Sequence, residues 1–144
     1  MFEFKGFTEL ANDALNYSIE SAQKLGHVYI GSEHILLGVL SDEKMDSFKI
    51  LSAKGVTLGK VEKEIKRFIG IGMPTTLILD DMTPRCKRIV ENALALGKDT
   101  PLGQSGTNEL LISLLNDPQC LGCKILNSLG VESCNNYNNH ESVL

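Results

Sequence analysis

Apolar side chains recur along the chain at the three- and four-residue spacing of amphipathic helices rather than at the alternate spacing of strands. After Thr8, a good N-cap residue, the apolar positions predict a helix that ends at Gly26. Ser32 then opens a short, largely buried helix, a third helix covers about 45–54, and Thr57 caps a fourth that runs to about 69. Further on, the pattern predicts helices near 84–97, 107–116 and 119–129. The first and second predicted helices carry these apolar positions: Leu10, Ala11, Ala14, Leu15, Ile19, Ala22, Ile35, Leu36, Leu37, Val39 and Leu40.

The same pattern occurs twice, at an offset of 75 residues without a gap. Ten identities fall in the 49 aligned positions that begin at Thr8 and end at Val56, whereas ordinary composition gives about three by chance. Identical pairs include Gly31 with Gly106 and Leu36 with Leu111. The sequence therefore predicts one all-α domain over 1–144 that is built from a duplicated helical unit. We expect repeat one at 4–70, a linker at 71–82, repeat two at 83–131 and a polar, frayed tail at 132–144.

Composition and charge exclude some classes of function. The 144 residues carry a net charge of −4 and 42% hydrophobic side chains, which suits a folded domain and argues against binding nucleic acid through bulk charge. No apolar run is long enough to span a bilayer, and the first residues lack the order of a signal peptide. A cytoplasmic protein without membrane contact is the expectation.

Recognised catalytic motifs are absent from the sequence. Neither Gly59-Lys60 nor Gly97-Lys98 belongs to a phosphate-binding GxxxxGK[ST] loop, and there is no HExxH or GxSxG. We therefore expect no enzyme activity and no cofactor in this chain.

Four cysteines include one CxxC, formed by Cys120 and Cys123. This spacing suits a redox pair or half of a zinc site, and Cys134 and His140 are the only nearby residues that could complete the zinc site. No predicted strand precedes the motif as in thioredoxin-like proteins. Two thiols on a helix are the favoured interpretation, with metal binding a weak alternative.

The repeated segments resemble a known family. The first repeat contains Phe7-Thr8-Glu9, Leu25-Gly26-His27 and the run Ile30-Gly31-Ser32-Glu33-His34-Ile35-Leu36-Leu37-Gly38, and the second keeps Met82-Thr83-Pro84-Arg85 and Gly106-Thr107-Asn108-Glu109-Leu110-Leu111. Together they resemble the double Clp repeat of the N domain of ClpC- and ClpA-type AAA+ unfoldases, over about 4–131. The resemblance implies a pseudo-twofold bundle of two tandem four-helix repeats, the second shortened at its C-terminus, without the ATPase modules.

The resemblance also implies a function in protein quality control. Such domains receive substrates or adaptors of the Clp system, and ClpC-like members recognise phosphorylated arginine. An acidic residue takes the guanidinium, while helix-start amides and hydroxyls take the phosphate. Carried over by position, the ligand residues of the first repeat are Thr8, Gly31, Ser32 and Glu33.

The second repeat departs from this pattern. Its corresponding residues are Thr83, Gly106, Thr107 and Asn108, with Glu109 one position further along the helix. A neutral amide cannot replace a carboxylate's charge, so this second site is doubtful. All the hydroxyl residues are equally explained as helix caps, and His27 and His34 as packing or hydrogen-bonding residues. The alternative function is a stand-alone structural or regulatory protein that binds a Clp ATPase, or itself, without a small ligand.

Overall fold

The computed structural model describes residues 1–131, and seven α-helices form this part of the chain. Repeat one contributes α1 (Glu9–Lys24), α2 (Ser32–Gly38), α3 (Asp46–Ala53) and α4 (Leu58–Phe68). Repeat two contributes α5 (Pro84–Gly97), α6 (Thr107–Leu115) and α7 (Leu121–Ser128), and a short 3₁₀-helix at Leu79–Asp81 precedes it. The predicted all-α class is confirmed, and the predicted helix limits agree to within about two residues.

Capping residues explain where the helices begin. The hydroxyl of Thr8 accepts a hydrogen bond from the backbone N–H of Ala11 at 3.1 Å, and Thr57 caps α4 in the same way. Thr83 caps α5, and Pro84 occupies the first helical position, where its missing N–H has no consequence. Such local signals are readable from sequence, which is why these limits were predictable.

The two repeats interlock through their loops. A parallel bridge joins Phe7 to Ser105, where the N–H of Thr8 donates to the Ser105 carbonyl at 2.9 Å. The same bridge recurs 75 residues away, between Ile30 and Met82. The segment before the first helix of each repeat thus pairs with the segment before the second helix of the other repeat. The pairing places the start of α1 beside α6, and the start of α5 beside α2.

Helices α2 and α6 occupy the centre of the bundle. Every residue of α2 is buried, and this helix contacts α1, α4, α5, α6 and α7. At Gly38 a side chain would collide with the carbonyl oxygen of Ala14, so the absence of a Cβ allows α1 and α2 to approach closely. The predicted apolar positions form this core, among them Ile35, Leu36, Leu37, Leu110, Leu111 and Leu114.

The linker packs along the C-terminal end of α1. The N–H of Gly72 donates to the carbonyl of Leu25 at 2.9 Å, and that of Thr75 donates to Gln23 at 3.0 Å. Leu77 is buried in the core, whereas Ile71, Met73 and Ile78 are exposed. The linker is therefore fixed to repeat one while it presents apolar side chains outward.

Repeat two ends its described part at Val131, directly after α7. At the 75-residue offset, the counterpart of α4 falls beyond this point. The predicted tail at 132–144 and the predicted shortening of repeat two thus lie outside the described residues.

Candidate ligand-binding clefts

Two shallow clefts of similar size are related by the internal repeat. Cleft one has a volume of about 330 Å³ and is lined by Tyr29, Gly31, Ser32, Glu33, Thr83, Arg85 and Leu121. Cleft two has about 310 Å³ and is lined by Thr8, Glu9, Leu10, Lys44, Asp46, Gly106 and Thr107. Three helices begin at each cleft: α2, α5 and α7 at cleft one, and α6, α1 and α3 at cleft two.

The structure exchanges the two threonines between the predicted groups. Thr83, assigned by sequence to the second site, lies in cleft one with Gly31, Ser32 and Glu33, whereas Thr8 lies in cleft two with Gly106 and Thr107. The bridges between the repeats are the physical reason, because each first helix begins beside the other repeat's second helix. The grouping by repeat thus differs from the grouping in space, since each cleft contains residues of both repeats.

Glu33 is the acidic group of cleft one. Only 2% of its surface is exposed, and its Oε2 accepts a hydrogen bond from the Tyr29 hydroxyl at 3.0 Å. Its Oε1 lies against the position where a Cβ of Gly31 would stand, so a glycine there leaves room for the carboxylate. Burial raises the pKa of Glu33, although bonds from its own backbone and from Tyr29 partly offset this effect.

The hydroxyl groups of cleft one already have structural partners. Thr83 Oγ1 accepts from the N–H of Cys86 at 3.0 Å, and Ser32 Oγ accepts from the N–H of Gly122 at 2.9 Å. Both hydroxyls therefore act as helix caps, one of them between repeats. Arg85 stands at the rim and pairs with Asp117 at 3.1 Å with 41% of its side chain exposed.

Cleft two has a different charge arrangement. Asn108 takes the place of Glu33 at the 75-residue offset, and Glu109 takes that of His34. The Oε1 of Glu109 accepts from the N–H of Gly106 at 2.8 Å, so this carboxylate caps its own helix. Lys44 adds one positive charge to the lining, and Glu9 and Asp46 add two negative charges.

Several lining residues were missed by the sequence argument. They are Tyr29, Arg85 and Leu121 in cleft one, and Glu9, Leu10, Lys44 and Asp46 in cleft two. Arg85 and Leu10 are counterparts at the 75-residue offset, as are Leu121 and Asp46. The offset could have paired them, but only the packing of the repeats shows that they reach a cleft.

A chain of hydrogen bonds runs from cleft one through two histidines to Gly70, the last residue before the linker. The N–H of Gly31 donates to Nδ1 of His34, whose Nε2 lies 2.7 Å from Nδ1 of His27. Nε2 of His27 lies 2.9 Å from the carbonyl oxygen of Gly70. Because Nδ1 of His34 accepts from Gly31 and the carbonyl of Gly70 can only accept, this order of hydrogen bonds is satisfied when Nε2 of each ring carries a proton. Burial lowers the pKa of His34 to about 3, and the predicted hydrogen-bonding role of both residues is confirmed.

The CxxC begins α7. Cys120 is the N-cap residue, and its sulfur accepts from the N–H of Cys123 at 3.4 Å. Both thiols point to the carbonyl of Leu114, and both are fully buried. The hydrogen bond from Cys123 lowers the pKa of Cys120 to about 7. Over residues 1–131, no three His, Cys, Asp or Glu side chains are arranged to hold a metal ion, and Cys134 and His140 lie beyond that range.

Comparison with known sequences gives the class of this fold. The family described as the Clp repeat N-terminal domain matches residues 6–100. The chain is 37% identical over 130 residues to the chaperone protein ClpB of Oceanobacillus iheyensis, with 89% of this chain covered. It is 36% identical over 130 residues to the negative regulator of genetic competence ClpC/MecB of Bacillus subtilis, with the same coverage. The chain spans about 16% of the length of each relative.

Solved structures agree on the fold. The N-terminal domain of the chaperone ClpD from Arabidopsis thaliana superposes with a TM-score of 0.72 at 22% identity, covering 90% of this chain and 91% of that one. The N-domain of ClpV from Vibrio cholerae superposes with a TM-score of 0.67 at 16% identity, covering 96% and 84%. The chain belongs to the Clp repeat N-terminal domain family.

Membrane-spanning helices are not found in the part of the chain that the structure describes. Across residues 1–131, each helix is too short or too polar to cross a bilayer.

Proposed function

We propose that this chain is a recognition domain of the Clp protein-quality-control system, and that cleft one binds arginine-phosphorylated proteins. Substrates or adaptors of the Clp system are its expected partners. The observation that carries the proposal is the buried carboxylate of Glu33 at a cleft where three helices begin. The name of the ClpB relative, a chaperone protein, supports the assignment to chaperone biology.

A phosphorylated arginine side chain carries a cationic guanidinium beside a dianionic phosphoryl group. Glu33 offers two oxygens to the guanidinium, an arrangement that gives paired charge-assisted hydrogen bonds. The phosphoryl group is matched by the N-terminal ends of α5 and α7 and by Arg85 at the rim. Charges of both signs thus lie within one cleft, as such a ligand requires.

Cleft two is the weaker candidate for the same ligand. Asn108 lacks the negative charge, Glu109 is committed to its own N-cap, and Leu10 stands where cleft one has Arg85. We therefore propose one phosphoarginine site per chain, formed by Gly31, Ser32, Glu33 and Thr83.

Titration calorimetry tests this proposal with free phosphoarginine, using arginine and phosphoserine as controls. The wild type is expected to bind phosphoarginine at one site per chain and to discriminate against both controls. Glu33→Gln keeps the size of the side chain but removes its charge, and we expect at least tenfold weaker binding. Glu9→Gln removes a carboxylate from cleft two and serves as the matched control. Equal binding by the wild type and Glu33→Gln would contradict the proposal.

A second candidate function rests on the exposed apolar side chains of the linker. Ile71, Met73 and Ile78 are exposed by 67, 83 and 55%. Such a strip favours a protein partner, either a Clp ATPase or a second copy of this chain, without a small ligand. Replacing Met73 by Ser tests this function. Loss of ATPase capture or of self-association, with phosphoarginine binding unchanged, would support it.

A further inference from the structure

We propose that Tyr29 is a positioning residue for Glu33, whose hydroxyl holds the Glu33 carboxylate in place for a cationic ligand of cleft one. This inference rests on the proposed function of that cleft. Tyr29 precedes α2 and lines the cleft, and its hydroxyl donates to Oε2 of Glu33 at 3.0 Å. Tyr29 therefore lines the cleft and also contacts Glu33, the acidic group of the cleft.

The ring of Tyr29 is held by the two histidines. It lies nearly parallel to the His27 ring, with 6.2 Å between centroids and 15° between planes, and edge-on to the His34 ring at 5.8 Å. These rings are themselves fixed between the N–H of Gly31 and the carbonyl of Gly70. The direction of the Tyr29 hydroxyl thus depends on a rigid support rather than on solvent.

The hydrogen bond matters because Glu33 is nearly inaccessible to water. A buried carboxylate without donors becomes neutral or turns away, and a neutral acid does not attract a guanidinium. Tyr29 supplies a donor to one oxygen and favours the ionised form of Glu33. Gln104 stands at the counterpart position of Tyr29 and Asn108 at that of Glu33, so cleft two lacks both members of the pair.

Other titratable groups also face Glu33 and belong in any analysis of pH dependence. His27 approaches from repeat one, and Cys86 and Arg85 approach from α5. Burial and the charge of Glu33 together raise the pKa of the Cys86 thiol to about 12. Cys120 lies at the start of α7, next to Ser32. None of these groups is altered by Tyr29→Phe.

Tyr29→Phe removes one oxygen atom and leaves the aromatic ring on its histidine support. Tyr17→Phe on α1, a partly buried tyrosine outside both clefts, is the matched control. In ligand-free protein, NMR titration of the Glu33 side-chain carboxyl carbon should show a higher pKa in Tyr29→Phe than in the wild type and Tyr17→Phe. Circular dichroism establishes that all three proteins are folded.

Binding of phosphoarginine by the same proteins then connects Glu33 to recognition. At about pH 6 we expect about tenfold weaker binding by Tyr29→Phe, the ratio that one hydrogen bond to a charged group accounts for. The pH at which binding is half lost should also rise in Tyr29→Phe. An unchanged Glu33 pKa and an unchanged pH profile, in a wild type that binds normally, would overturn the role of Tyr29 alone. Absence of binding by the folded wild type would overturn the proposed function itself.

Discussion

Burial of the neutral His34 ring should make the stability of this domain depend on pH. The pKa of His34 falls to about 3 on folding, from an ordinary value of about 6.5, because the ring is buried and lies beside His27. A base whose pKa is lower in the folded state makes its full contribution to stability at pH values above its unfolded pKa. Its contribution is lost as the pH falls below about 6.5. Each pH unit is worth about 1.4 kcal/mol, so His34 should cost about 2 kcal/mol of stability by about pH 5.

Replacing His34 by Gln isolates this effect. Glutamine does not titrate, and at this helix position its side chain can still accept the N–H of Gly31. Urea unfolding at about pH 7.5, 6.5, 5.5 and 5 gives the free energy of unfolding of both proteins. The difference between wild type and His34→Gln should shift by about 2 kcal/mol toward the variant over this range.

Two comparisons separate the effect of His34 from the effects of other groups. Glu33 has the opposite sign, because an acid with a raised pKa stabilises the fold less as the pH rises, but it is present in both proteins. Glu109→Gln changes the equivalent capping position of α6 without removing a histidine, and it should leave the loss between about pH 6.5 and 5 unchanged. A difference between wild type and His34→Gln that is constant with pH would refute the buried, neutral state of His34.

Three further outcomes follow from the packing, the caps and the repeat. Leu36→Ala, at a fully buried position of α2, should lower the free energy of unfolding by about 2–5 kcal/mol in urea titrations, and a loss below about 1 kcal/mol would mean that α2 is not central. Thr83→Ala should cost about 1 kcal/mol through the lost cap of α5, with thermal unfolding as the measurement and the exposed, uncapping Thr76→Ala as the control. Asn108→Glu places an acidic side chain beside cleft two, and calorimetry should then report a second, weaker phosphoarginine site. A stoichiometry that stays at one site per chain would show that a site also needs an arginine or a tyrosine such as Arg85 or Tyr29 in cleft one.

Local signals in the sequence were sufficient to predict where the helices begin and end. Thr8, Thr57 and Thr83 each satisfy an N–H of the following turn, and Gly26 and Gly55 adopt the left-handed conformation that ends a helix. These interactions join residues only a few positions apart, so a short stretch of sequence is enough to predict them. The duplication added the equivalence between repeats, because apolar positions coincide at one offset.

The composition of the clefts required contacts between distant residues. Thr83 lines the same cleft as Glu33 because Met82 pairs with Ile30, and no local pattern predicts that pairing. Treating each repeat as a unit with its own site differs from the clefts that the fold forms, because each cleft contains residues of both repeats. Tyr29 and the two histidines were missed as a connected group for the same reason, since their bonds depend on the position of Gly70.

Mapping the ligand onto individual backbone amides tests the central claim most directly. In a ¹⁵N–¹H titration with a phosphoarginine peptide, the account predicts shifts at Gly31, Glu33, Arg85 and Leu121, from both repeats at cleft one. The signals of the counterpart amides of cleft two should not shift. Shifts confined to cleft two or to the linker, or none in the folded protein, would contradict the assignment of cleft one as the recognition site.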